Sequence, residues 1–328
     1  MTNPIVSILI PIYKVEKHIE QCVLSILHQT INEDVEIIFV NDCTPDNSIE
    51  VLNDTLKNNP PKSNFHIEII EHDKNRGQSA ARNTALSHAK GTYIIFIDSD
   101  DYIDSKMIEK MYHKAIKSSA SIVMVDLIKE YKGYQSFIKA PYNKNKHIIL
   151  SSLIRGESIY MCNKLILRAL FTDNRLTFKE GYNISEDYAI IIPLCFHANK
   201  IEYVPEVYYH YIQYNESATT KRDYTQQDID SIIYSTEILL NFIAKHKISG
   251  FEKDIMFRQL ITRSWCMTYS TGEKRKQYAC LYPEINKHAF KLIKLSKGKQ
   301  AKILLYFVAK GYVKVFSFLL ALKQKFGI

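Results

Sequence analysis

The sequence predicts an α/β fold: a Rossmann-like, mainly parallel sheet with helices on both faces, followed by a helical C-terminal region. Three observations carry this reading. Apolar, β-branched runs alternate with helix-patterned stretches over the first hundred residues. Polar clusters follow the end of each run. Beyond residue 220 the strand pattern gives way to a helical one.

Strands are expected at 5–13, 35–40, 66–70 and 92–97, where Ile, Val and Phe dominate and each run ends in a polar loop. Between them, helices are expected at 16–28, 45–58 and 79–90, with Gly91 at the position of a helix C-terminal glycine. The β-α-β-α-β-α-β order calls for parallel pairing, and parallel sheets of this kind bind ligands in the crevice at the carboxyl ends of their strands. Tyr13 and Lys14 follow the first strand, Asn41 and Asp42 the second, 73–77 the third and 98–101 the fourth. Four polar clusters therefore meet at one edge.

A further helix is expected at 105–117 and a strand at 121–126, after which tyrosines, lysines and asparagines at 131–147 show no clear period. Residues 151–217 form a second half containing a helix-like 151–154, the NKLILRALF segment, and Glu186 and Asp187 opening an apolar helix. Residues 226–295 read as helical. The expected division is a ligand-binding and catalytic region at 1–220 and a helical region at 221–328, ending in a basic amphipathic tail from about residue 299.

A chain of 328 residues, 46% of them hydrophobic, can bury a full core without disulfides or structural metals. Its six cysteines show no CxxC pair and no metal-ligand spacing with histidine, and are read as reduced thiols of a cytosolic protein. The first residues have no basic stretch ahead of the apolar run and no small-residue cleavage site, so they read as a strand and not as a secretory signal. The net charge is +8, but ten lysines and no acid follow Glu284, so residues 1–284 carry −2. A nucleic-acid footprint is not expected from a near-neutral body.

The strongest chemical signal is YIIFIDSDDY, a buried-strand pattern running into Asp98, Asp100 and Asp101. On an extended segment, side chains two apart share a face, so Asp98 and Asp100 can approach one hard cation. Mg²⁺ or Mn²⁺ held by one or two carboxylates plus substrate phosphates is the expected chemistry. The same acids also suit a helix cap or a solvated turn. Asp42 is able to accept a hydrogen bond from a base N–H, or to make an Asx turn. Arg76 and Arg82 flank Gly77 at a loop-to-helix junction suited to an anion, although Arg82 would equally brace carboxylates such as Asp98. Glu186 or Asp187 is a candidate general base, or a pair of acids complementing a helix dipole. His210, among tyrosines, is read as touching a diphosphate or a metal, or as packing.

SILIPIY, FVNDCTPDNS, NRGQSAARN, IDSDD and SEDYAI, in this order, resemble the inverting, bacterial-polysaccharide-type members of glycosyltransferase family 2, which have the GT-A fold. The match is close over 4–104 and looser over 160–220. The resemblance implies a nucleotide-diphosphate sugar donor, a UDP-hexose by preference, and an acceptor hydroxyl. It also implies that Asp42 contacts the base, that Asp98 lies near the ribose and diphosphate, that Asp100 ligates Mn²⁺ or Mg²⁺, and that Asp187 is the catalytic base. Pro11 and Tyr13 would line the nucleotide pocket, Arg82 would support it, and Tyr209, His210 and Ser217 would lie near the diphosphate. Lys14, Asn41, Cys43 and Pro45 depart from the family's usual residues, which bears on donor identity.

Residues 303–322 are almost wholly apolar, but Lys310 and Lys314 would each cost about 2.5–3.5 kcal/mol at a bilayer centre. On one helix, Lys302, Tyr306, Lys310 and Lys314 fall on a single stripe, which suits a helix lying on the anionic inner face of the cytoplasmic membrane, or one packed on protein. A membrane-bound tail makes a lipid-linked saccharide the natural acceptor. The oligomeric state is left open. Two other readings use the same residues: a non-catalytic protein binding a nucleotide sugar or a membrane partner, and a sugar nucleotidyltransferase. Asp100 and Asp187 together argue against the first, and PIYKVEKH in place of a Gly-rich loop argues against the second.

Overall fold

The computed structural model describes residues 4–182, 184–213 and 224–326, with side chains through residue 322. Ser217 lies outside the described residues. The chain forms two compact units, one of Met1–Leu150 with Ser158–Lys221, the other of Ser151–Glu157 with Arg222–Ile328. The short 151–157 segment, expected with the first region, groups with the helical unit.

The first unit begins with β1 (Val6–Ile12), α1 (Ile19–Leu27), β2 (Val35–Asn41), α2 (Ser48–Asn58), β3 (Phe65–Glu71), α3 (Gln78–His88) and β4 (Tyr93–Phe96). β1 pairs in parallel with β2 and β4, and β2 with β3. All seven residues of β1 and all four of β4 are buried, as a strand covered on both faces requires. Burying each such Val, Ile or Leu side chain contributes about 1.5–3 kcal/mol.

The chain continues through β5 (Tyr102–Ile103), α4 (Met107–Ser118), β6 (Ile122–Tyr131), β7 (Tyr134–Ile138), α5 (Lys146–Ile154), β8 (Lys164–Leu167), α6 (Ala169–Asn174), α7 (Glu186–His197) and β9 (Ile201–Ile212). The sheet order is β3-β2-β1-β4-β8-β6-β9-β5, with β7 beside β6. This half is mixed: β8 runs antiparallel to β4 and β6, while β6 and β9 are parallel. The unassigned 131–147 stretch contains a hairpin strand, β7, on which Tyr134 and Phe137 are more than half exposed.

Gly91 does not end α3 in a left-handed cap, because the helix closes at Ala89 with an extended backbone. It is needed for close approach instead: a Cβ there would lie 2.5 Å from the Ser7 backbone nitrogen. Its N–H donates to Ser7 Oγ (2.9 Å) and Glu36 Oε1 (2.8 Å), tying the start of β4 to β1 and β2.

The second unit holds α8 (Gln226–Lys245), α9 (Glu252–Thr268), α10 (Gly272–Tyr278), a 3₁₀ turn (Pro283–His288), α11 (Ala289–Ile293), α12 (Lys299–Lys310) and α13 (Val313–Phe326). Thr225 and Asp228 form a capping box that starts α8. Leu260, Met267, Leu292, Val308 and Phe316 pack in one core. The expected single lysine stripe is split, because Gly311, in the left-handed region at φ 71°, ends α12 before α13 begins. Lys302, Tyr306 and Lys310 stay on α12 and Lys314 moves to α13. No described helix is long and apolar enough to cross a membrane.

Candidate active site

The loop after β3 closes onto Asp42. Asp42 is 2% exposed. Its Oδ1 accepts from His72 Nδ1 (2.7 Å) and the Arg76 N–H (2.9 Å), and its Oδ2 from Asn75 Nδ2 (3.0 Å) and the Gly77 N–H (2.7 Å). Four donors fill the capacity of a carboxylate. Asp42 therefore organises the loop that leads into α3, with both of its oxygens accepting from within the protein. The anion expected at the Arg76–Gly77 junction is this internal carboxylate, and the Arg76 guanidinium pairs with Glu180 (2.9 Å).

The Asp98–Asp101 segment is a turn, closed by the Asp101 N–H on the Asp98 carbonyl at 3.0 Å, and not an extended strand end. The turn separates three acids by role. Asp101 is 1% exposed and accepts from Tyr209 Oη (2.6 Å) and the Ile212 N–H (2.8 Å), so it ties the turn to β9. Asp98 Oδ1 accepts from Gln78 Nε2 (3.1 Å) and Arg82 Nη2 (3.0 Å). Asp100 is half-buried and makes no hydrogen bond or ion pair with any other described residue. Burial, with the negative charge of Asp98 added, pushes the Asp100 carboxyl up to about 6.

Arg82, projecting from α3, is the hub. Its guanidinium reaches Asp98 (3.0 Å), Glu186 (3.0 Å) and Asp187 (2.8 Å) while itself 3% exposed. It lies against the rings of Phe96 and Phe178, and its Nε has no hydrogen-bond partner. Ser185, left-handed at φ 62°, turns the chain into α7 so that Glu186 and Asp187 open the helix. Asp187 Oδ2 also accepts the Met161 N–H at 3.1 Å. Burial and the Asp187 charge push Glu186 up to about 7, with Arg82 opposing, and burial raises Asp187 as well. One guanidinium faces three carboxylates here, with Asp100 beside them, so the cluster carries excess negative charge unless protons or a cation join it.

Pro11 is buried, and its carbonyl accepts from Ser99 Oγ at 2.7 Å. Tyr13 is 41% exposed at the end of β1. His210 does not join the acidic cluster. Its ring stacks on Tyr102 (4.2 Å between centroids), Nδ1 contacts Glu130 (2.6 Å) and Nε2 faces Asp104 (3.6 Å). Strand alternation explains the difference, since Tyr209 points to the other face of β9 and reaches Asp101. Sequence reasoning missed Lys164, which is fully buried at the start of β8. The one signal for it was a lysine inside the apolar run MCNKLIL.

The glycosyl transferase family 2 model matches residues 7–173, just over half of the chain. The glycosyltransferase EpsJ of Bacillus subtilis is 33% identical over 226 residues, covering 66% of this chain and 63% of EpsJ. A poly(ribitol-phosphate) beta-glucosyltransferase of Bacillus spizizenii is 30% identical over 63% of this chain and 32% of its own length. The chain thus spans less than two thirds of either relative. Among solved structures, S. aureus TarS residues 1–349 in complex with UDP-GlcNAc is similar in fold, with a TM-score of 0.72, 17% identity, and coverage of 98% of this chain and 92% of that one. On the family match and the GT-A architecture, the chain belongs to glycosyl transferase family 2.

Proposed function

We propose that this chain is an inverting, metal-dependent glycosyltransferase that moves a sugar, by preference a hexose, from a UDP-linked donor to an acceptor hydroxyl. The observation that carries the reading is the convergence of Asp98, Glu186 and Asp187 on Arg82, with Asp100 beside Asp98, a buried cluster with more negative charge than its one guanidinium offsets.

The donor set suits a hard cation, because it offers carboxylate oxygens alone. Among the described residues no three His, Cys, Asp or Glu side chains are gathered to hold a metal by themselves. Asp100, free of other partners, would hold Mn²⁺ or Mg²⁺, with substrate phosphates and water completing the set. When bound, the cation offsets charge on the departing nucleoside diphosphate. Arg82 keeps Asp98 and Asp187 in place by opposing their burial penalty. Asp187 takes the proton from the acceptor hydroxyl as that oxygen attacks the anomeric carbon from the face opposite the leaving group, so a single displacement inverts the configuration. Pro11 and Tyr13 line the nucleotide side, and Asp42 serves it indirectly by holding the 72–77 loop. The poly(ribitol-phosphate) relative and the UDP-GlcNAc complex of TarS support a UDP-sugar and a saccharide acceptor in surface polysaccharide synthesis.

The finer placement is peripheral, on the inner face of the cytoplasmic membrane, with a lipid-linked saccharide as acceptor. Phe318 is 63% and Val315 41% exposed on α13 beside exposed Lys314, a lysine–apolar combination that suits an anionic lipid surface.

A panel of UDP-, GDP- and dTDP-sugars with Mn²⁺ or Mg²⁺ tests the reaction. Metal-dependent nucleotide release from a UDP-sugar is expected. Nucleotide binding without release from any donor, with or without lipid extracts, would replace the enzyme by a binding protein.

A further inference from the structure

Lys164 is fully buried, and its ammonium donates to the Ser158 carbonyl (3.3 Å), the Tyr160 carbonyl and Asn163 Oδ1 (2.8 Å). Three donors meet three acceptors, the arrangement that a charged amine requires. Asn163 is itself anchored by donating to the Val125 carbonyl at 2.7 Å. Burial lowers Lys164 to about 8, with Cys195, Cys162 and Asp187 opposing.

The Tyr160 carbonyl belongs to the same peptide group as the Met161 N–H, and that N–H donates to Asp187 Oδ2 at 3.1 Å. One peptide plane is thus held at its oxygen by a cation and at its nitrogen by the carboxylate assigned as base. Hydrogen bonds in series polarise one another in a low-dielectric interior. The ammonium on the carbonyl strengthens the N–H as a donor to ionised Asp187. The other groups facing Asp187 are Arg82 from α3, Asp98 after β4, Glu186 on its own helix, and Tyr160 and Cys162 beside the peptide. Arg82 binds Oδ1, which leaves the Met161 N–H as the fixed contact of Oδ2.

We propose that Lys164 is a positioning residue that acts through the Tyr160–Met161 peptide group to orient Asp187 and keep it ionised. The proposal rests on Asp187 being the base.

The test is the pH profile of kcat for the UDP-sugar turned over in the panel, compared among wild type, K164M and D187N, with thermal melting as a control for folding. K164M is expected to lose ~10-fold or more in kcat, to keep the donor KM, and to show its acid limb moved up by about one pH unit. A K164M profile that is lower but unshifted overturns the positioning role. D187N at full activity overturns the base assignment instead, so the two failures are distinct. The wild type supplies a second readout free of folding effects: the Met161 amide resonance should titrate with the acid limb while the Lys164 ammonium stays protonated. A Met161 amide that does not follow that limb also overturns the proposal.

Discussion

Two carboxylate sites lie at the same edge of the sheet and differ in how their charge is met. Asp42 is enclosed by four protein donors, two on each oxygen. Asp98, Glu186 and Asp187 share one guanidinium, and Asp100 has no partner among the described residues. A carboxylate whose lone pairs are all filled holds a loop in place. A buried group of carboxylates short of positive charge favours protons or a cation, and it is the latter kind that can exchange charge with a substrate.

The largest expected effect comes from removing the hub. Arg82→Met leaves three carboxylates facing each other, and breaking a buried ion pair from one side costs about 3–5 kcal/mol. Thermal or urea unfolding should show a loss of that order, and a variant as stable as wild type would mean the acids are already protonated. Asp42→Asn is expected to cost somewhat less, about 1–3 kcal/mol, because its new amide hydrogens oppose existing donors. The loss should appear in unfolding experiments and in faster hydrogen exchange at 72–77.

Asp100→Asn should act in the opposite direction. Its carboxyl is raised in the fold, so the native state favours the protonated form and loses stability as pH rises through about 6. Without added metal, the variant should therefore be more stable than wild type by roughly 1–3 kcal/mol at pH 7.5, with the gain fading toward pH 4. A variant that is less stable at pH 7.5 would show that Asp100 has a structural partner after all. The smallest effect is expected at His210, whose partners are Glu130, Asp104 and Tyr102. His210→Gln should leave metal-dependent UDP affinity within about twofold, a change of under ~0.5 kcal/mol. A tenfold loss would bring His210 back to the donor site.

Much of the first hundred residues was legible because strand and helix periods differ and the β-α alternation is regular. Arg82 bracing Asp98 is one of two readings that its loop-to-helix junction allows, whereas Asp187 opens a helix outside that regular stretch and is placed at the site by the family resemblance, not by the alternation. The second half was harder to read. β9 carries Tyr208, Tyr209, His210 and Tyr211 in succession, so side-chain type does not reveal which residues face the cluster, and only the pairing of β9 with β5 and β6 separates Tyr209 from His210. Roles within DSDD were hidden for a similar reason, since a turn and not a strand sets where each acid points. Lys164 and the Met161 N–H carry no motif that marks them, because what they do depends on a peptide orientation fixed by contacts 26 residues apart in the chain. The apolar and lysine pattern of the tail is visible in the sequence, but the break in it depends on the left-handed backbone of Gly311, which the pattern does not show.

The most direct test of the account is single-turnover nucleotide release from a UDP-sugar with Mn²⁺, comparing wild type, Asp187→Asn and Asp100→Ala alongside UDP binding with and without the metal. Asp187→Asn is expected to bind UDP and metal as wild type does but to release nucleotide ~10²–10⁴-fold more slowly, and Asp100→Ala to lose the metal-dependent part of binding. Asp187→Asn turning over at the wild-type rate, or Asp100→Ala keeping full metal-dependent binding, would contradict the mechanism.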